Sequence, residues 1–101
     1  MLAALRKGAA GCISATANVN AAAIRRLYDA WRTPRADALH EPVAAVRKLI
    51  QGYPLIAAVK AILAQETGRA DWARVRPPLD ALDPARTKQL LEGLAALRAP
   101  A

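Results

Sequence analysis

Side chains that could act as nucleophiles or metal ligands are few in this chain, which has a single cysteine, Cys12, and a single histidine, His40. A protein metal site usually takes three or four ligands, so His40 lacks the histidine or cysteine partners for one, and no metal site is predicted. Cys12 lies between Gly11 and Ile13 in an apolar stretch, which favours a small buried side chain over a nucleophile. One cysteine also excludes a disulfide within the chain.

One β-strand is predicted, at residues 12–15. Residues 2–7 have the pattern of a short helix before it, and Gly8 suits the position just after that helix. Asn18 and Asn20 both suit the N-cap of the helix that follows the strand. A lone strand cannot satisfy its own ladder hydrogen bonds. It must therefore pair with another copy, pair with a missing part of a larger protein, or not form.

The rest of the chain predicts helices, because large apolar residues recur at the spacing of one helical face. Four stretches show this spacing: Ile24, Leu27, Tyr28 and Trp31; Leu39, Val43, Val46 and Ile50; Ile56, Val59 and Leu63; and Leu90, Leu94 and Leu97. Such residues must carry most of the core, since alanine supplies much of the apolar composition and buries little area. The fold class expected is mostly α, with one short strand and four or five helices.

Prolines and glycines predict where these helices end. Thr67-Gly68 closes one of them, with Gly68 just past its last turn. Pro77-Pro78 forbids a helix and predicts an extended segment, and Asp83-Pro84 predicts an N-cap followed by the first residue of the last helix. Residues 99–101 are expected to fray.

The formal net charge is +7 and the sequence pI is about 10.5, which alone would raise nucleic acid as a partner. The longest basic runs are only two residues, acidic residues lie between the others, and no aromatic residues interleave with them. This pattern favours a solvated surface, and nucleic-acid binding is not expected. No secretory signal and no apolar run of about 18 residues is present. A cytoplasmic protein with no membrane attachment is therefore predicted.

Three blocks of sequence resemble the dihydrodipicolinate synthase/N-acetylneuraminate lyase family in order and spacing. Residues 8–19, Gly-Ala-Ala-Gly-Cys-Ile-Ser-Ala-Thr-Ala-Asn-Val, resemble the family's eighth barrel strand and the turn after it. Residues 53–60, Tyr-Pro-Leu-Ile-Ala-Ala-Val-Lys, resemble its Pro-x-x-x-x-Lys segment. Residues 75–79, Val-Arg-Pro-Pro-Leu, resemble its Arg-x-Pro-Leu element.

The resemblance implies a class I aldolase built on a (β/α)8 barrel, of which this chain supplies the C-terminal segment. Residues 1–32 would be the last barrel strand and the following helix, and residues 33–101 a C-terminal helical extension. In that family a lysine on the sixth strand forms a Schiff base with a keto acid such as pyruvate, without a cofactor. That lysine, the proton-transferring tyrosine and the carboxylate-binding loop are absent from this sequence, so no catalytic residue is assigned.

The resemblance carries few site residues over to this chain. Gly11 and Ile13 match positions at the end of strand eight, and are expected to line the substrate pocket. Ser14 and Asn18 match the family's Ile-Ser-x-x-x-Asn pattern. The structural alternative is a strand-end hydroxyl for Ser14 and an N-cap for Asn18, and for Asn18 the N-cap is preferred. Lys60 matches a helical position after the barrel and is interpreted as structural. Ala15 lacks a hydroxyl that sialic-acid lyases use, which disfavours that substrate and leaves the other keto-acid and sugar-acid reactions open.

Two functions follow from this reading. The first is a C-terminal part of a pyruvate-dependent lyase, inactive alone, which is completed by a missing N-terminal half or assembles as a homo-oligomer. The alternative is a standalone basic helical module that binds a protein partner or nucleic acid.

Overall fold

The computed structural model describes residues 1–98, which fold into five α-helices and one short 3₁₀ helix. The α-helices are α1 (Leu2–Arg6), α2 (Ala17–Ala30), α3 (Ala36–Gln51), α4 (Leu55–Thr67) and α5 (Pro84–Arg98), and the 3₁₀ helix is Ala70–Ala73. The predicted mostly α class is confirmed. None of these helices is long and apolar enough to cross a membrane.

The predicted strand at residues 12–15 is wrong for this structure, since residues 1–98 contain no strand. Residues 9–14 have no regular secondary structure, and Ala15 and Thr16 form the turn that leads into α2. The physical reason is the absence of a partner. Without a neighbouring strand among the described residues, the backbone N–H and C=O groups of residues 12–15 have no partners with which to form a β-ladder.

Helix α3 organises the fold, because it packs against α1, α2, α4 and α5. Its C-terminal half contributes Val46 and Ile50 to the larger hydrophobic cluster, which also contains Val19, Ala58, Val59, Ile62, Leu90 and Leu94. Its N-terminal residue Ala36 joins a smaller cluster with Leu2 and Leu27. One helix therefore links two separate regions of buried apolar surface.

The apolar periodicity identified six of the fourteen buried hydrophobic residues within residues 1–98, and it misplaced the inward face of α4. Ile56 is 53% exposed, whereas Ile62, one of the largest fully buried side chains, lay outside the predicted face. Ala57, Ala58 and Ala61 are buried beside Ile62, and small side chains let neighbouring helices approach closely. Since α4 is apolar on nearly every side, its periodicity could not decide which face turns inward. Tyr28 and Leu97 also lie at the surface, contrary to prediction.

The start of α5 follows the predicted local chemistry. Asp83 caps α5, because its Oδ1 accepts a hydrogen bond of 2.8 Å from the backbone N–H of Arg86. Pro84 is the first residue of α5. The segment at Pro77-Pro78 is not helical but forms a turn instead of the predicted extended chain, with the Leu79 N–H donating to the Arg76 carbonyl at 2.9 Å. The predicted fraying at residues 99–101 lies outside the described residues.

Arg98 ties the end of α5 to two other helices. Its Nη2 donates a hydrogen bond of 2.6 Å to the backbone carbonyl of Val19 in α2. Its Nη1 forms an ion pair with Glu66 near the end of α4. The contact with Val19 lies beside Asn20, where α2 is kinked by backbone angles outside the helical range.

Gly68 ends α4 in the left-handed region, with φ +71°. We expect Gly68→Ala to lower the free energy of unfolding by about 1 kcal/mol, because a Cβ is disfavoured at positive φ. The measurement is the urea unfolding curve followed by circular dichroism. Gly52→Ala is the matched control, since Gly52 follows α3 with φ −74° and should tolerate alanine without loss. Equal destabilisation by both substitutions would contradict this account of Gly68.

Candidate functional site

Gly11 and Ile13, the two predicted site residues, lie in the irregular segment 9–14. The segment begins after a Schellman motif at the end of α1: the Gly8 N–H donates to the Leu5 carbonyl at 3.1 Å, and the Ala9 N–H to the Ala4 carbonyl at 3.0 Å. Gly8 adopts φ +99° there, as this motif requires. The motif therefore determines where the chain leaves α1.

The segment itself contacts little of the folded chain. Residues 10–13 make no backbone hydrogen bond with any of residues 1–98, and the side chain of Ile13 is fully exposed. Burying a side chain of this size is worth roughly 1.5–3 kcal/mol. Residues 10–13 therefore lie at the surface, with backbone groups that no described residue pairs and with Ile13 unburied.

The predicted burial of Cys12 is wrong in this structure. Its side chain is exposed, and its Sγ makes only a weak hydrogen bond of 3.5 Å to the sulfur of Met1. The prediction assumed that the apolar run would pack as a strand. Because the run remains irregular, the thiol stays in contact with solvent.

A cleft of about 690 Å³ lies between this segment and α3. Ile13 lines it together with residues from the N-terminus, the turn before α2, α2 itself and α3: Met1, Ala3, Cys12, Ser14, Thr16, Ile24, His40, Val43, Ala44, Arg47, Lys48 and Gln51. Of the two predicted pocket residues, Ile13 therefore borders a cavity, and Gly11 is not among the residues that line it.

Polar groups in the cleft are basic or neutral. Arg47 and Lys48 form no ion pair within residues 1–98, and no carboxylate lines the cavity. His40 Nδ1 is buried and lacks a hydrogen-bond partner among the described residues. The hydroxyls of Ser14 and Thr16 are hydrogen-bonded to each other at 2.7 Å.

The structure separates the remaining sequence candidates from the cleft. Asn18 does not cap α2: its side-chain Nδ2 donates to the Ala15 carbonyl at 3.0 Å, and Thr16 occupies the N-cap position. The side chain of Asn20 makes no capping hydrogen bond with the described residues either. Lys60 is partly buried in α4 and does not line the cleft.

Sequence reasoning missed the α3 side of the cleft. His40 lacks the partners of a metal ligand, and Arg47-Lys48 is one of the two-residue basic runs of the sequence. The signal that could have found them is their spacing, since positions i, i+7 and i+8 share one helical face. Nothing in the sequence indicated that residues 12–16 would lie opposite that face.

Comparison with known proteins identifies one family. Residues 1–97 match the profile of the dihydrodipicolinate synthetase family. No curated protein and no solved structure matches the chain. The match extends from the first residue into the last turn of α5 and so covers segment 9–14 and the sequence of all five α-helices.

The exposure of Cys12 gives a direct test of this arrangement. We expect its thiol to react with Ellman's reagent at a rate within about threefold of the rate in guanidinium chloride, because access limits the reaction of an ordinary thiol. Cys12→Ser should abolish the signal, which shows that it belongs to this residue. Strong protection in the native chain would mean that segment 9–14 is packed against another surface.

Proposed function

Because the chain belongs to the dihydrodipicolinate synthetase family, we propose that it is the C-terminal part of a pyruvate-dependent lyase of the Schiff-base type. Residues 1–32 would supply the eighth barrel strand and the helix after it, and residues 33–101 the C-terminal helical extension. The substrate class would be a keto acid such as pyruvate. No cofactor is needed, since the lysine amine itself activates the ketone.

The unpaired backbone of residues 10–13 is the observation that carries this proposal. Those residues have donors and acceptors with no partner among residues 1–98, and Ile13 is exposed between them. In a closed parallel barrel, the first and seventh strands would supply both sets of partners and would cover the isoleucine. Gly11 and Ile13 would then lie at the carboxyl end of a strand, where active sites of such barrels are found.

The lysines of this chain do not fit the catalytic role. The four are Lys7, Lys48, Lys60 and Lys88; three lie within α-helices and Lys7 caps α1. A Schiff-base lysine needs a desolvated amine, and Lys60 is the only one of the four that is even partly buried. The catalytic lysine must therefore come from another segment, either a separate N-terminal half or residues preceding these.

The chain alone should form no Schiff base with pyruvate. We expect no stable adduct after incubation with pyruvate and borohydride, as measured by the intact mass, because none of its lysines is held in a desolvated pocket. A family member with the sixth-strand lysine is the positive control. An adduct that disappears in Lys60→Arg would show that the catalytic lysine had been misassigned.

Joining this chain to barrel strands one to seven of a Schiff-base-forming family member should restore the site. We expect a trapped pyruvate adduct on that member's lysine, together with protection of Cys12 from Ellman's reagent. Ile13→Asp should prevent both, because a carboxylate cannot be buried cheaply beside a barrel strand. It should leave the urea midpoint of the isolated chain unchanged, since Ile13 is exposed there.

Ile13→Val is the matched control, because it keeps a β-branched apolar side chain at the same position. It should behave as the unsubstituted chain in both measurements. If Ile13→Asp assembled and trapped pyruvate as well as Ile13→Val, residues 9–14 would not be the eighth strand.

A further inference from the structure

The cleft between residues 12–16 and α3 has the composition of an anion site. We propose that it binds a small oxyanion, a phosphate or carboxylate group, in the isolated chain. This inference is independent of the proposed lyase activity, because it concerns the arrangement in which segment 9–14 is not part of a barrel. No lysine needs to react with the ligand.

The charged side chains that line the cleft, Arg47 and Lys48, are both positive. Arg47 and Lys48 are exposed neighbours on α3 and border the cavity. Five of the eight acidic residues form ion pairs elsewhere, with Arg6, Arg25, Arg69, Lys88 and Arg98. Since no carboxylate lines the cleft, its two cations lack an internal counter-charge, and a bound anion would supply one.

The two cations differ in a way that suits an oxyanion. The Arg47 guanidinium can donate two parallel hydrogen bonds to a carboxylate or phosphate, whereas the Lys48 ammonium acts as a compact point charge. They are adjacent in sequence, so their side chains leave α3 about 100° apart. Both residues border the cleft, so a ligand held there beside α3 could contact the two.

Neutral donors complete the arrangement. The hydroxyls of Ser14 and Thr16 are already paired at 2.7 Å, which leaves one of their two protons for a ligand. His40 Nδ1 is buried without a partner among residues 1–98. The His40 residue also borders the cleft, so its ring lies beside the place where a ligand would sit.

The cleft is large enough to admit a small organic anion or phosphate. The volume of about 690 Å³ lies within the range of roughly 300–1,000 Å³ typical of small-molecule sites. Ile24 and Val43 add apolar side chains to the lining.

The test is an NMR titration of the ¹⁵N-labelled chain with sodium phosphate at constant ionic strength, repeated with pyruvate. We expect saturable shifts of the Ser14, Thr16, Arg47 and Lys48 amide signals. The imidazole signals should move with them, and they need no further assignment because the chain has one histidine. Saturation by phosphate alone identifies a phosphate ligand, and saturation by pyruvate alone identifies a carboxylate.

The double variant Arg47→Gln/Lys48→Gln should weaken binding by at least about tenfold, the loss expected on removing charge-assisted hydrogen bonds. Arg74→Gln/Arg76→Gln is the matched control, because it removes the same charge from exposed residues that do not line the cleft. It should bind as the unsubstituted chain does. Shifts that fail to saturate, or an equal loss in both variants, would overturn the anion site without bearing on the lyase proposal.

Discussion

Helix α3 carries the constraint on which the rest of the structure depends, because its two halves belong to different hydrophobic clusters. Val46 and Ile50 pack with α4 and α5, while Ala36 packs with Leu2 and Leu27. Neither cluster alone is large, and alanine supplies part of each. A helix shared by both gives the short α1 a place to dock, and thereby determines where segment 9–14 begins.

Segment 9–14 has one structure in the isolated chain and would need another in the proposed barrel. The exposed backbone of residues 10–13 has no hydrogen-bond partner within residues 1–98, so no internal contact would have to break for it to pair with a neighbouring strand. Within residues 1–98 it borders the cleft and exposes Ile13. In the barrel proposed for the whole enzyme, the same residues would be covered on both edges. Segment 9–14 cannot border the cleft and pair as a barrel strand at the same time. The proposed anion site would therefore exist only in the unassembled chain.

Prediction from sequence succeeded where the determining interactions are local. Asp83 and Gly68 end their helices through contacts within a few residues, and both were identified from residue type alone. It failed where the determining contact is distant. The inward face of α4 depends on close approach at its alanines, and the strand depends on neighbours that residues 1–98 do not contain. The cleft escaped prediction because it joins residues 12–16 to a helix more than twenty residues later.

The hydrogen bond from Arg98 to the Val19 carbonyl joins the last helix to the second one, which has a consequence for folding during synthesis. Leu90, Leu94 and Arg98 all come from α5, yet they cover and bind residues of α2, α3 and α4. Helices α2, α3 and α4 are therefore synthesised before the helix that seals their shared core. Until α5 has emerged, Val19 and Ile62 lack one wall of their packing, so the core they share with α5 can close only after the last helix has been synthesised.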